Sequence, residues 1–505
     1  MPQEPMNTSH PTSPQSQATL SRPRHAARRG KLALAGALAV FALLIAAGPA
    51  SAFSTQYAFT VTGHGWGHGV GMSQWGAYGY AKHGWTYKAI LKHYYTGISF
   101  SKVANSVIRV RLRSGLGSVK VTCPSDFTVK GTGAASTIPG GTTATTTYTG
   151  SAYRVVAGSF RKNFSAAPTF APTSRALRIL TATDLGDKGA YRGKIKVARV
   201  GGALMMINHV PLESYLRGVV PHEVSPSWPR ESLKAQACAA RAYSLRSRQP
   251  GQAWDVYCDV RDQAYVGVDI EDSRTNAAIR GTAGICPTYG GKPIFAAYFS
   301  CSGGHTENIE LAWAGATSTP YLKGVSDPYD YYGSRHDWGP VRRSASQVGK
   351  PLAAKGSLRA VYTVKRGTSR RIVKAAIVGS GGTRYIDGGS LRMKLGLNSA
   401  WAVFTSMGIS PSARNRASIT AGKRITLKGR LYPARAAGAT VTLHFYYAGR
   451  WRSRRVATTR AAESLPGGYT ARYSAYRISV GPAQTTKYYF SSGKAKSPTT
   501  TITVN

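Results

Sequence analysis

The sequence predicts an α+β fold: a mixed-sheet core domain with packed helices and an all-β insertion, followed by a C-terminal Ig-like β-sandwich. Three observations predict it. Helical spacing is confined to short stretches, clearest at residues 212–219 and 231–247, the second rich in Ala and Leu. Between about residues 105 and 200 the runs VIRVRLRSG, VKVTC, FTVKG, YRVVAG, LRIL and KIKVARV alternate with Gly and Ser clusters, as strands joined by turns do. After residue 416, ASITAGKRITLKGRL, ATVTLHFYYAGRWR, GYTARYSAY and TKYYFSSG alternate apolar and polar residues between turn signals.

In chain order, residues 1–52 read as a secretory signal peptide. Arg22, Arg24, Arg28, Arg29 and Lys31 form its basic end, residues 32–47 its apolar stretch and Ala50, Ser51 and Ala52 its cleavage site. The expected product is secreted and associated with the cell wall, with an uncleaved N-terminal membrane anchor as the alternative. Residues 53–408 form the expected core domain, with the β-rich insertion at about 105–200 and a low-complexity surface loop at 142–149. Strand patterns return in VYTVKRG and RIVKAAIVGS and close with LGLNSAWAVF, which ends at Phe404. Residues 409–416 have linker composition, and 417–505 form the basic sandwich. A chain of 505 residues has ample length for a large core and more than one domain.

The formal charge of +46 falls to +42 once the five cations and one acid of the leader are removed. Such a charge attracts polyanions: wall polymers, lipid surfaces or nucleic acid. Export brings the first two within reach, and the absence of a nucleic-acid-binding motif argues against the third. Between 411 and 505 stand seventeen Lys or Arg and the single acid Glu463, giving this module the composition of a wall binder. Its Tyr446, Tyr447 and Trp451, beside Arg450 and Arg452, suit either sugar stacking or a sandwich core. The five cysteines are an odd set without CxxC spacing. Cys286 and Cys301 flank a hairpin-like segment, but spacing leaves their pairing open.

Glu223 is the candidate catalytic residue. It stands in a Pro-bounded apolar loop with Val219, Val220, Val224 and Trp228, ahead of a helix for which Ser227 is the expected N-cap. Lost hydration raises a carboxyl's pKa toward the range useful for proton donation near neutral pH. A second candidate region is GHGWGHGVGMSQWGA, from Gly63. Gly63, Gly65, Gly67, Gly69 and Gly71 recur every second residue, so the backbone can approach a sugar or another strand closely, with His68, Ser73 and Gln74 supplying donors and acceptors. A glycine-rich turn with structural histidines is the alternative. Further candidates are Gln263 and Tyr265, then Ser302, Thr306 and Glu307 within AAYFSCSGGHTENIELAW, a polar loop suited to a saccharide rim or to plain turn chemistry.

These stretches, with GVVPHE, SWPRESLKAQA, AARAY and PYLKGVSDPYD, resemble the stage II sporulation protein D family, also called SpoIID/LytB. The resemblance implies a lytic transglycosylase acting on peptidoglycan glycan strands with Glu223 as its acid, or, in the amidase-enhancer branch, a non-catalytic wall protein that recruits a wall amidase. Val224 stands where the family usually has Met, and both are apolar. The GHG box precedes the rest here instead of following the LGLNSAWAVF stretch. A circular permutation explains that order, with the strand at residues 57–62 lying where the chain would otherwise continue after Phe404, so that both boxes line one groove. Some members bind zinc at the position of VYCDVRDQAY. Cys258 lacks a neighbouring His and second Cys here, so no metal is expected, nor any cofactor. The implied partners are peptidoglycan, anionic wall polymers and a wall amidase, not nucleic acid. Hydrolysis needs a second carboxylate, for which Glu213, Asp255, Asp259 and Glu307 are the candidates.

Overall fold

Alternation along β1 (Gln56–His64) turns Tyr57, Phe59 and Val61 into the core. The structure, a computed structural model, describes residues 55–186, 188–411 and 417–505; the expected signal peptide and most of the expected linker lie outside the described residues. A glycine-rich segment follows β1 and leads into α1 (Gln74–Lys82), whose first turn is capped by Ser73 accepting from the Gly76 N–H at 3.1 Å. Next comes α2 (Tyr87–Tyr94), capped by Thr86.

Among the described residues between 105 and 200 the regular elements are all strands. β2 (Val107–Leu116), β3 (Lys194–Val200) and β4 (Ala203–Pro211) belong to a seven-stranded sheet in which β4 lies between the other two, and a six-stranded sheet covers part of the same region. The buried apolar residues of both sheets, among them Val110, Phe127, Phe170 and Met206, join one core with the helices.

After β4 the chain makes the one-turn helix α3 (Val220–Glu223) and the long α4 (Arg230–Arg246). Ser227 is not the cap of α4: Pro229 takes that place with φ −53°, and the Ser227 hydroxyl lies 2.9 Å from that of Ser225. Proline already has the backbone angle a helix start needs, which displaces the expected side-chain cap. Ala235, Ala237, Ala239, Ala240 and Ala242 are buried along α4, and their small side chains let it contact both α1 and α2 closely. Within it Arg241 is fully buried, its guanidinium forked onto Glu213 at 2.8 and 2.7 Å and its Nη1 donating to the Ile285 carbonyl. Arg241→Met strands a largely buried carboxylate, so urea unfolding should show a loss of about 3–5 kcal/mol.

The remaining labelled strands are β5 (Asp337–Ser344), β6 (Ala402–Ile409), β7 (Ile425–Tyr432), β8 (Thr440–Tyr447), β9 (Arg450–Ala457), β10 (Thr459–Leu465), β11 (Tyr469–Val480), β12 (Thr486–Ser492) and β13 (Thr500–Val504). One sheet runs β5-β1-β6-β7-β11-β10, so it passes without a break from the first strand into the C-terminal region. A second runs from Ala417–Ile419 through β13, β12 and β8 to β9. Leu427, Leu431, Leu443, Tyr476, Phe490 and Ile502 from the two sheets make one buried cluster with Met407 and Ile409 of β6. β1 and β6 are antiparallel neighbours, Val61 opposite Phe404 and Gly63 opposite Ala402. The strand ahead of the GHG box thus lies beside the stretch that ends at Phe404, as the permuted order requires. The fold is mixed α+β, with strand well in excess of helix.

Candidate active site

The glycine-rich segment is held against residues 297–302. Trp66 exchanges backbone hydrogen bonds with Cys301 at 2.7 and 2.9 Å, Met72 donates to the Ala297 carbonyl, and Met72–Ser73 pairs in parallel with Tyr298–Phe299. The close approach expected of the glycines is therefore made to another strand. Gly71 has φ +75°, and a Cβ there would stand 2.1 Å from the Ala297 oxygen. On its other side the segment meets the LGLNSAW stretch: Gly67 N–H donates to Asn398 O, His64 N–H to Trp401 O, and the Ser399 hydroxyl to His64 O. His64, Gly303, His336, Arg366, Arg370 and Trp401 line a common cavity of about 540 Å³, so the two boxes do share a depression.

This zipper places two side chains on Glu223. Gln74, the first residue of α1, donates from Nε2 to the Glu223 carbonyl at 3.2 Å and reaches its carboxyl Oε2 at 3.4 Å. Tyr298 gives the carboxyl a side-chain hydrogen bond, and Ala264 gives it a backbone one. Behind them Gln263 donates to the Tyr298 hydroxyl at 2.9 Å and accepts from the Tyr215 hydroxyl at 3.1 Å. Glu223 closes α3 and is 1 % exposed. Burial pushes its pKa up from 4.5 to about 7, against the opposing pull of the Tyr298, Gln74 and Ala264 hydrogen bonds. A carboxyl with a pKa near 7 is shared between its acid and carboxylate forms at neutral pH, so it can give up a proton and take one back.

An aromatic row begins beside Gln74 and runs from the buried Trp228 to the exposed Tyr331. Trp75, next to Gln74, lies 4.7 Å from Trp228 between ring centroids. Tyr78 contacts both, Tyr332 lies 5.3 Å from Tyr78, and Tyr331 stacks on Tyr332 at 4.6 Å. Trp228 is nearly buried, whereas Tyr331 is 52 % exposed. Of these rings only Trp228 carries a local signal, standing five residues after Glu223. Trp75 and Tyr78 stand three apart on α1, a spacing equally suited to core packing, and nothing local ties residues 331–332 to the site.

The other sequence candidates fall into two groups. Gln74, Gln263 and, through Tyr298, His68 touch the Glu223 network. The His68 Nδ1 accepts from Val70 N–H at 3.1 Å, which leaves Nε2 to donate to the Tyr298 carbonyl at 3.1 Å. Burial above all, and then Arg392, lowers its pKa to about 3, so the ring is a neutral positioning group. Ser73 caps α1 and thereby orients Gln74.

The second group is buried and occupied by protein partners. Tyr265 donates to Asn208 at 2.8 Å, Ser302 accepts from Gly304 N–H, and Thr306 accepts from Val325 N–H. Glu307 takes the hydroxyls of Thr368 and Ser369, both at 2.6 Å, together with three backbone N–H groups. Ser302, Thr306 and Glu307 therefore fasten loops inside the protein instead of standing at a saccharide rim; the turn chemistry of this segment is directed inward.

Each candidate second carboxylate is also committed: Glu213 to Arg241, Asp255 to Arg109 at 2.7 Å, Asp259 to Arg261, and Glu307 as above. Among the described residues no second carboxylate enters the hydrogen-bonded network of Glu223. Cys258 is buried, with Sγ 3.3 Å from Leu112 O. Cys301 lies 2.8 Å from Asp330 Oδ2, and Cys286 remains an unbridged thiol packed near Arg241.

Residues 200–289, which carry Glu223 and α4, match the family described as Stage II sporulation protein, SpoIID. The chain is 30% identical over 213 residues to Stage II sporulation protein D of Bacillus subtilis (strain 168), covering 38% of this chain and 60% of that protein. It is 32% identical over 216 residues to the protein of the same name from Bacillus amyloliquefaciens, again covering 60% of it. It is 39% identical over 115 residues to the Amidase enhancer of Bacillus subtilis (strain 168), covering 23% of this chain and 15% of that one. No solved structure matches the chain. With its family match gathered around the Glu223 helix pair, the chain is similar to the SpoIID/LytB family over residues 200–289 and spans about 60% of the length of the Stage II sporulation protein D relatives.

Proposed function

We propose that this chain is a secreted peptidoglycan lytic transglycosylase in which Glu223 is the general acid and base. The observation that carries the reading is the buried Glu223 carboxyl, its pKa raised to about 7, fixed by Tyr298 and by Gln74, whose chain neighbour Trp75 belongs to the aromatic row. Protonated Glu223 gives its proton to the glycosidic oxygen as the bond from that oxygen to the anomeric carbon breaks. The resulting carboxylate takes the proton of the sugar's own 6-hydroxyl as that oxygen bonds to the anomeric carbon. The products are a free hydroxyl on one fragment and a 1,6-anhydro end on the other. No water is consumed, so one carboxylate suffices, in keeping with the absence of a second from the network. Trp75, Tyr78, Tyr331 and Tyr332 offer ring faces on which sugars stack, with the buried Trp228 packed behind them. Residues 1–52 act as the export signal in this reading, and the two C-terminal sheets as an Ig-like module that keeps the enzyme on the wall.

Mass spectrometry of glycan strands, with and without stem peptides, tests the activity: 1,6-anhydro-muramyl ends are expected, and intact strands in both cases contradict it. Tyr298→Phe tests the network. It removes a hydrogen bond that lowers the Glu223 pKa, so the alkaline limb of the cleavage profile should move to higher pH. An unmoved limb denies Tyr298 that role.

The likeness to a protein named Amidase enhancer favours a second reading, in which the chain binds glycan and stimulates a wall amidase. That reading expects full stimulation by Glu223→Gln, whereas the transglycosylase reading expects the variant to leave glycan intact.

A further inference from the structure

The hairpin β8–β9 presents a surface unlike the rest of the C-terminal region. Tyr446 stands opposite Trp451 and His444 opposite both Ser453 and, on the other neighbour, Tyr489 of β12, so these side chains share the face turned away from Leu443 and the buried cluster. The rings form a continuous row: Tyr446 to Trp451 at 5.4 Å, Trp451 to Tyr489 at 5.0 Å, and Tyr489 stacked on His444 at 4.4 Å with 9° between planes. Trp451 is 46 % exposed and Tyr446 42 %. Exposed aromatics grouped in this way mark an interaction surface more often than isolated ones do.

Cations flank the rings: by the alternation of β9, Arg455 shares the face of Trp451, while Arg450, Arg452 and Arg454 turn to the other side of the strand, Arg452 lying 5.1 Å over the Tyr447 ring. Residues 450–455 of β9 are all exposed, and they include Arg450, Arg452, Arg454 and Arg455. Among the described residues none of these four has a carboxylate within 4.0 Å, and Glu463, the one acid after residue 411, is held by Arg430 and Tyr432. Lys496 lies 5.3 Å above the Tyr489 ring and also lines a cavity of about 860 Å³ with Arg342, Arg343 and Lys350, whose lining contains no acid. The Arg343 Nε there is buried without a hydrogen-bond partner. Like charges held together without counter-charge repel one another, so an anionic ligand relieves the strand as well as binding it.

We propose that this face, continued through Lys496 into the cavity, binds an anionic polysaccharide in which sugar rings alternate with phosphodiesters. The ring row stacks sugars, and the Arg455 fork and the Lys496 ammonium take phosphate oxygens beside it. This site contains none of the Glu223 network and does not rest on the activity proposed above.

The test is calorimetric titration of the purified chain with a poly(glycosyl phosphate), with polygalacturonate, neutral chitin oligosaccharide and a single-stranded oligonucleotide in parallel. The phosphate polymer is expected to bind at least about tenfold tighter than the other three and to weaken about tenfold or more between 50 and 300 mM salt. Trp451→Ala and the pair Arg455→Gln with Lys496→Gln, folded by circular dichroism, should each lose about tenfold, while Glu223→Gln binds as the unaltered chain does. Equal binding of the uronate polymer, the oligonucleotide or the neutral glycan overturns the assignment, as does unchanged affinity in both surface variants.

Discussion

Glu223→Gln should lower glycan cleavage by about 10²- to 10⁴-fold, the usual contribution of a positioned general acid, with the far-ultraviolet circular dichroism spectrum unchanged. The amide keeps the shape of the carboxyl and one accepting oxygen, so part of the Gln74 and Tyr298 anchoring survives while the transferable proton is lost. The same assignment fixes the pH dependence. The acid form does the first step, and it disappears as pH rises through about 7, so the rate of the unaltered protein should fall on the alkaline side of that value. A variant that cleaves at full rate, or a rate that keeps rising through pH 8, removes Glu223 from the role.

The same carboxyl should make stability depend on pH by an amount large enough to measure. Its folded-state pKa, about 7, lies above its ordinary value of 4.5. Between these values the folded chain holds a proton that the unfolded chain releases, so the contribution of Glu223 to stability falls as pH rises through that window and levels off above it. Glu223→Gln lacks this loss. Relative to the unaltered protein it should therefore gain roughly 3 kcal/mol between pH 4 and pH 8, read as diverging midpoints of urea unfolding. Taking the difference between the two chains cancels the other groups whose pKa burial raises, such as Asp262. Parallel stability curves would mean that Glu223 ionises as an ordinary exposed carboxyl.

What the sequence disclosed and what it hid follow one physical line. The apolar company of Glu223 is local: Val220, Val224 and Trp228 stand within a few positions of it, so its burial was readable from neighbours alone. The glycines of the GHG box announced a close approach, but a glycine records only that something comes near, not what. The partner is the strand at residues 297–302, more than two hundred positions away. Tyr298 reaches Glu223 through that same pairing, and Tyr331 and Tyr332 reach Tyr78 through another long-range contact, so neither belonged to any local pattern. Ser302, Thr306 and Glu307 mislead for the converse reason. Polar loop residues look alike in sequence whether they face water or, as with the Glu307 carboxyl, the hydroxyls and amides of a distant turn. Tyr446 and Trp451 had two possible surroundings on an amphipathic hairpin, and the register of β8 against β9 and β12 turns them outward.

The central claim is that Glu223 drives an intramolecular ring closure and not a hydrolysis. The most direct test is cleavage of glycan strands in water enriched in oxygen-18, with the new ends weighed by mass spectrometry for the unaltered chain and for Glu223→Gln. Anhydro ends free of the label, formed by the first and absent with the second, are the expected result. Reducing ends that carry the label would contradict it, because they require water as the nucleophile and a second group to activate it.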